Sequence, residues 1–211
     1  MLFAHPAFER SRLNRRLVEV ARDVGGVHVH DLYEAYPDLI VDVHHEQARL
    51  LEHDTIVFQH PFFWYSSPAL VKEWTDQVLQ HGWAYGPSGT ALAGKHMLLA
   101  LTTGGGAQSY AAAGYNRYTI RQLIAPQEQT ARLCRMRFLA PFVAHDAFRM
   151  GTAEIAASTE AYRETLCALV EERVDVARAE AAERIEQAIV TRWSEPPPRG
   201  SVPPPPRGSA P

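Results

Sequence analysis

The chain has 211 residues, enough for one buried core plus an appendage, and its 46% apolar and 21% charged residues are ordinary for a soluble globular fold. A formal charge of −3 removes the basic surplus that nucleic-acid binders carry, and two cysteines, Cys134 and Cys167, without CxxC spacing rule out a disulfide scaffold and fit a reducing cytosol. No apolar run reaches the roughly 18 to 20 residues that a bilayer span needs, and "MLFAHPAFERS" meets charge by Glu9, so no signal peptide is expected.

In chain order, "LFA" (2–4) reads as a short strand and "SRLNRRLVEVARDV" as a helix that starts near Ser11. "VHVHDL" (27–32) is strand-like, with apolar residues at 27 and 29. "DTIVFQ" (54–59) and "KHMLLALTT" (95–103) are continuous apolar runs, as expected of central strands buried on both faces. "RFLAPFVAHDAF" (137–148) is a fifth strand, interrupted by Pro141. Helical patterns fall near 44–53, 68–81, 117–125 and from 152 onward. In the second of these, Leu70, Val71, Trp74 and Val78 form the stripe expected to be buried. The alternation of strand and helix predicts an α/β fold, with five parallel strands between two helical layers.

The last helix is expected to run to Ile189, its apolar stripe turning alanine-rich after Val176. Its first half should pack on the sheet and its second half project or find a partner. From Glu195 to Pro211 there are eight prolines and two copies of "PPPRGS", which predicts an extended or disordered tail.

Ligands of open α/β sheets bind beyond the carboxyl ends of the strands, and three unusual segments occupy such positions. "AHPAFERSRLN" brings Ser11 and Asn14 to a helix start, where free backbone amides and a partial positive charge suit a phosphate, with Arg12, Arg15 and Arg16 nearby. An ordinary helix cap explains Ser11 equally well. "HPFFWYSSP" follows the strand at 54–59 and carries four consecutive rings, Phe62, Phe63, Trp64 and Tyr65. They cannot all face one core, so a platform for a flat heterocycle stands beside the plain reading of a core plug. "TTGGGAQSYAAAGYN" (102–116) follows the strand at 95–103, and its glycines permit close backbone approach and positive φ.

That loop misses GxGxxG at Ser109, and neither a P-loop nor a GxSxG elbow occurs. Ten histidines include the pairs His28/His30 and His44/His45, but no metal-type spacing, so no metal site is expected.

Taken together, "AHP" with Ser11 and Asn14 behind it, "DLYEAYPD", "HPFFWYSSPALVKEWTDQVL", "HGWAYG", "GTALAGKH" and "TTGGG" resemble the flavodoxin-like NAD(P)H:quinone oxidoreductases, most closely the ancillary subunits of glutathione-regulated potassium-efflux systems. The motifs run in order from residue 4 to about 148. The resemblance implies a flavodoxin-like three-layer sandwich, expected over residues 1–175; the helical extension expected over 176–194 and the tail from 195 depart from the family and lie outside the matched motifs.

It also implies FMN as cofactor, with FAD the alternative, and hydride transfer from NAD(P)H through flavin N5 to a quinone. His5 with Ser11, Arg12, Leu13 and Asn14 would hold the phosphate end. Phe62, Phe63, Trp64, Tyr65, Thr102, Thr103, Gly104 and Gly105 would hold the ring. Tyr110 matches the family's charge-stabilising tyrosine, while Asn116 stands where its histidine would be, and an amide cannot shuttle a proton. The implied setting is a cytoplasmic homodimer without direct membrane insertion, peripheral to the membrane through a potassium-efflux partner. Redox turnover is then either the main activity or secondary to regulation; a flavodoxin-type electron carrier is the third reading, which the modest net charge disfavours.

Overall fold

The computed structural model describes residues 1–190. The strands are β1 (Leu2–Phe3), β2 (His30–Asp31), β3 (Thr55–Pro61), β4 (His96–Thr102), β5 (Arg137–Phe138) and β6 (Phe142–Ala144). The helices are α1 (Arg12–Asp23), α2 (Leu32–Ala35), α3 (Val43–Leu51), α4 (Ala69–Val78), α5 (Ile120–Leu123), α6 (Ala125–Leu133), α7 (Thr152–Val170) and α8 (Val176–Ala181). All strand pairs are parallel, in the order β2-β1-β3-β4-β5, with β6 also on β4. This is the parallel α/β sheet that the alternation of elements predicts, in the strand order of the flavodoxin-like folds that the resemblance implies.

The two long strands behave as their composition requires. Ile56, Phe58, Met97, Leu99 and Leu101 enter the core beneath α3, α4 and α6. Val57, Leu98 and Ala100 enter the opposite core beneath α1 and α7, the period-two alternation of a sheet covered on both faces. In α4 the buried residues are Leu70, Val71, Trp74 and Val78, the stripe expected from the sequence.

Three expectations change. The strand read at 27–32 shrinks to His30–Asp31, because β1 begins at Leu2, which pairs with His30, and Val27–Val29 lie upstream of that register. The fifth strand is split. Two residues separate Met97 from Ala100 on β4, but three separate Phe138 from Phe142 on the other side. The extra residue makes a bulge at Pro141, which has no amide to give the ladder, and Ala140 instead donates to the carbonyl of Ala179 at 2.8 Å.

The single long helix is also interrupted. It stops at Val170, and the chain turns through Glu172 at φ 54°. Buried Arg173 fastens the turn to Glu164 at 2.9 Å and Glu171 at 2.6 Å. α8 and the 3-10 turn Ile185–Ala188 then pack back on the sheet, with Ala179, Ile185 and Ala188 fully buried, instead of projecting. Alanines of the stripe lie in this contact: Ala179 is fully buried where its carbonyl receives the Ala140 amide. Residues 191–194 of the expected extension and the proline-rich tail lie outside the described residues.

A buried carboxylate ties one helical layer together. Glu46 of α3 has no exposed surface and accepts from Tyr36 Oη at 2.7 Å, His30 Nε2 at 2.7 Å and Trp74 Nε1 at 2.8 Å. Burial alone would raise its pKa, but the three donors together outweigh it and hold the carboxyl below the usual range. A depressed carboxylate contributes stability above its unfolded pKa and loses it as pH falls through the folded one. Urea unfolding should therefore show wild-type stability falling on acidification below about pH 4.5. Glu46→Gln should be less stable by about 2–3 kcal/mol at pH 7 and lose less on acidification. Equal acid sensitivity of the two proteins would contradict this account.

Candidate functional site

Four loops meet at the carboxyl edge of the sheet, and the β3–β4 ladder sets their spacing. Pro61 pairs with Thr102, so the segment after β3 and the glycine loop after β4 leave the sheet side by side. The Phe62 amide donates to the Thr102 carbonyl at 2.8 Å, extending the ladder by one bond. From the other side, Thr103 N donates to Ala144 O at 3.0 Å and Ala147 N to Thr103 O at 2.9 Å, which draws in the segment after β6.

The loop after β1 ends at the N-cap of α1. Ser11 Oγ accepts from the Asn14 amide at 3.2 Å and from Asn14 Nδ2 at 3.1 Å. Asn14 Nδ2 also donates to Thr102 Oγ1 at 3.0 Å, pinning the helix start to the end of β4. Asn14 Oδ1 is buried and has no partner among the described residues. An orphaned acceptor costs about 1–3 kcal/mol, a cost that a ligand donor placed at this oxygen would relieve. As N1 and N2 of the helix, Arg12 and Leu13 have amides without intrahelical acceptors. The Leu13 side chain belongs to the core, and the Arg12 side chain is exposed. His5 is buried and its pKa lowered by desolvation. Its Nδ1 accepts from Ala7 N at 3.1 Å, which leaves Nε2–H as the ring's donor.

The four rings after β3 divide. Phe62 is 7% exposed and joins the core, whereas Phe63 is 37%, Tyr65 46% and Trp64 93% exposed. One plug and three surface rings replace the single platform. Phe63 packs edge-on to His5, with centroids 6.0 Å apart. Trp64 and Tyr65 both take left-handed backbone, at φ 49° and 61°, a conformation that costs roughly 1–2 kcal/mol for a residue with a Cβ. Their amides donate to no group among the described residues, and neither do those of Gly104 and Gly105.

The glycine loop works by close approach. Gly104, Gly105 and Gly106 all avoid positive φ. A Cβ on Gly104 would lie 2.8 Å from the Phe148 ring, and one on Gly106 2.7 Å from Gln108 Oε1. Beyond the loop, Tyr110 packs against Phe62 at 6.2 Å and against His145 at 5.5 Å. Asn116 sits elsewhere: its Oδ1 accepts from Tyr65 Oη at 3.2 Å, bridging the aromatic and glycine loops. Both residues thus reach the segment after β3, and among the described residues no hydrogen bond joins them.

His145 is the residue that sequence reading missed. It stands at the carboxyl end of β6, and its Nδ1 lies 3.0 Å from Thr103 Oγ1. Its place at a strand's carboxyl end was the available signal, hidden by the irregular reading of the split strand. Trp64, Tyr115 and Phe148 form an exposed aromatic rim beside these loops, at 93%, 90% and 81% exposure.

Comparison with known proteins agrees with this architecture. A family model described as a flavodoxin-like fold matches residues 1–169. A glutathione-regulated potassium-efflux system ancillary protein KefG from Pectobacterium atrosepticum is 46% identical over 166 residues, covering 79% of this chain and 91% of that protein. Among solved structures, the general stress protein 14 from Treponema denticola, in complex with FMN, is 35% identical with a TM-score of 0.75, covering 80% of this chain and 97% of that one. An NADPH-quinone reductase from P. pentosaceus is 28% identical with a TM-score of 0.71, covering 77% and 94%. With its sheet order, its loop placement and a match that spans most of its length, the chain belongs to the flavodoxin-like family.

Proposed function

We propose that the protein is an FMN-dependent NAD(P)H:quinone oxidoreductase. The observation that carries this reading is the set of unused polar groups converging at one sheet edge: buried Asn14 Oδ1, the first amides of α1, and the amides of Trp64, Tyr65, Gly104 and Gly105. The residues fit a flavin mononucleotide. Amides at a helix start suit a phosphate, Asn14 Oδ1 suits a ribityl hydroxyl, and two loops of free amides suit the carbonyls and nitrogens of a flat ring. A flavin bound there supplies two-electron chemistry between NAD(P)H and a quinone-class acceptor.

The protein's own residues bind, orient and protonate. Ser11, Arg12 and Leu13 hold the phosphate end, with His5 Nε2–H as a further donor, while Asn14, whose nitrogens are already donated, offers Oδ1 to the ribityl chain. Phe63, Trp64 and Tyr65 border the ring, and Thr102 and Thr103 order the loop that carries Gly104 and Gly105. Tyr110 is half-buried, and burial raises its pKa, so its hydroxyl stays protonated at neutral pH and can donate to an oxygen that gains charge. The bond that Asn116 accepts from Tyr65 steadies the rim of the site.

A second reading has its own support. The KefG relative is named as an ancillary protein of a potassium-efflux system, and the exposed rim of Trp64, Tyr115 and Phe148 is the kind of surface that marks association. The protein would then dock on a potassium-efflux membrane protein, as a homodimer with the flavin sites near its interface, and carry secondary redox activity. Co-purification with such a membrane protein, lost on charge substitution of the rim, tests it.

Purified protein should show a flavin absorbance spectrum, as isolated or after addition of FMN, and bleach anaerobically with NADH or NADPH. A colourless protein that gains no flavin spectrum would overturn the proposal. Trp64→Gly should leave thermal stability unchanged or raise it by up to about 1 kcal/mol, since it removes a left-handed Cβ and exposes almost nothing new. The same change should weaken FMN binding, measured by fluorescence quenching, through the lost ring contact; unaltered affinity would remove Trp64 from the site.

A further inference from the structure

At the start of α1 the chain carries cations where a helix is better served by acids. Arg12, Arg15 and Arg16 open the helix, no acid stands in its first turn, and its first carboxylate is Glu19. The positive end of a helix dipole disfavours such side chains. Composition does not force them there, since the whole chain has 21 Lys and Arg against 24 Asp and Glu. The arginines thus cost stability in the free protein, and an anion held among them would offset that cost.

Spacings of three and four put these side chains on one face of the helix. With Glu19, Thr152 and Ile155 they line a groove of about 300 Å³ between α1 and the start of α7. All three arginines are exposed. Arg16 pairs with Glu19 at 2.8 Å, an exposed bridge that contributes little. The guanidinium groups of Arg12 and Arg15 make no hydrogen bond or ion pair among the described residues. Glu154, the acid in the first turn of α7, accepts from the Gly151 amide at 2.7 Å and does not line the groove.

The groove is distinct from the flavin phosphate position and continuous with it. That phosphate is assigned to backbone amides at the helix start, whereas side chains further along α1 form the groove. Arg12 belongs to both, because its amide has no intrahelical acceptor and its side chain enters the groove lining.

NADPH differs from NADH only by a phosphate monoester on the adenosine ribose, far from the transferred hydride. Discrimination between them therefore requires a site for that phosphate. Guanidinium forks match phosphate oxygens with paired hydrogen bonds. Resting on the oxidoreductase reading given above, we infer that the groove receives the 2′-phosphate of NADPH, with Arg15 and Arg16 as its ligands. They set a preference for NADPH over NADH. The nicotinamide lies on the flavin, and the adenosine half runs past the flavin phosphate to α1. Arg16 exchanges its bridge to Glu19 for the phosphate, and Thr152 adds a hydroxyl from the opposite wall.

One arm of the test needs no turnover. FMN-loaded protein is titrated by calorimetry with 2′,5′-ADP, 5′-AMP and inorganic phosphate. The first should bind at least about 10-fold more tightly than the other two, and added salt should weaken it. Arg15→Ala and Arg16→Ala should each reduce the difference, the double variant should abolish it, and Arg15→Lys should keep part of it. Flavin occupancy should stay at the wild-type level throughout. Equal binding of 2′,5′-ADP and 5′-AMP, or phosphate binding as tight as that of 2′,5′-ADP, would overturn the inference. Loss of flavin from Arg15→Ala, or displacement of 2′,5′-ADP when FAD replaces FMN, would do the same by giving the arginines to the flavin.

The other arm is kinetic. Wild-type KM should be lower for NADPH than for NADH, and the double variant should raise the NADPH value about 10-fold with kcat and the NADH value unchanged. A wild-type protein without preference, or a variant that raises both KM values alike, would count against the site. A protein that takes up no flavin would instead defeat the proposed function, and the same titration of flavin-free protein would then decide the groove by itself.

Discussion

The structure depends on one ladder. β3 and β4 pair in parallel over seven residues each, from Thr55 with His96 to Pro61 with Thr102, with no slip in register. Side chains alternate faces along a strand, so a shift of one residue would exchange the two cores. The same shift would pull the aromatic loop and the glycine loop out of step. Because the ladder ends level, Phe62 can add a final bond to Thr102, and Thr102 can receive Asn14 from α1. The geometry of the candidate site is thus inherited from the packing of the core.

Stability and availability are divided along the length of the strands. In the body of the sheet, Glu46 receives three donors, and Gln59 Oε1 accepts from Tyr162 at 2.8 Å while its Nε2 has no partner among the described residues. At the carboxyl edge such gaps are more numerous. There, Asn14 Oδ1 is orphaned, two bulky residues hold left-handed backbone and loop amides go unused. Each departure costs free energy in the isolated protein, and together they are offset by a core that does not depend on them. A ligand that satisfies these groups would recover part of the cost.

The C-terminal segment links the two regions. Pro141 breaks the strand, and the bulge frees the buried Ala140 amide from the β4 ladder to bond the Ala179 carbonyl of α8. The turn that follows brings Arg184 beside the end of β6, near His145. A segment that would otherwise project becomes a lid on the core and a neighbour of the site.

Much of this was legible in the chain itself. The apolar runs at 54–59 and 95–103, the alternation of strands and helices, and the stripe from Leu70 to Val78 determine the α/β layers, because burial on one or both faces demands those periods. The helix start at Ser11 and the loops at 60–68 and 102–116 are identifiable because they interrupt that periodicity at strand ends. What only the tertiary structure decided are the relations between segments distant in sequence. Phe62 turns inward while Trp64 turns outward, because the last ladder bond falls on Phe62. Asn116 meets Tyr65, and Tyr110 sits between Phe62 and His145, contacts made by residues far apart in the chain. The expected long helix ends at Val170, because Arg173 finds Glu164 and the alanine face finds Ala140. Local pattern reports which side chains must be buried; which partner each one meets depends on sheet register, and that is set by many residues at once.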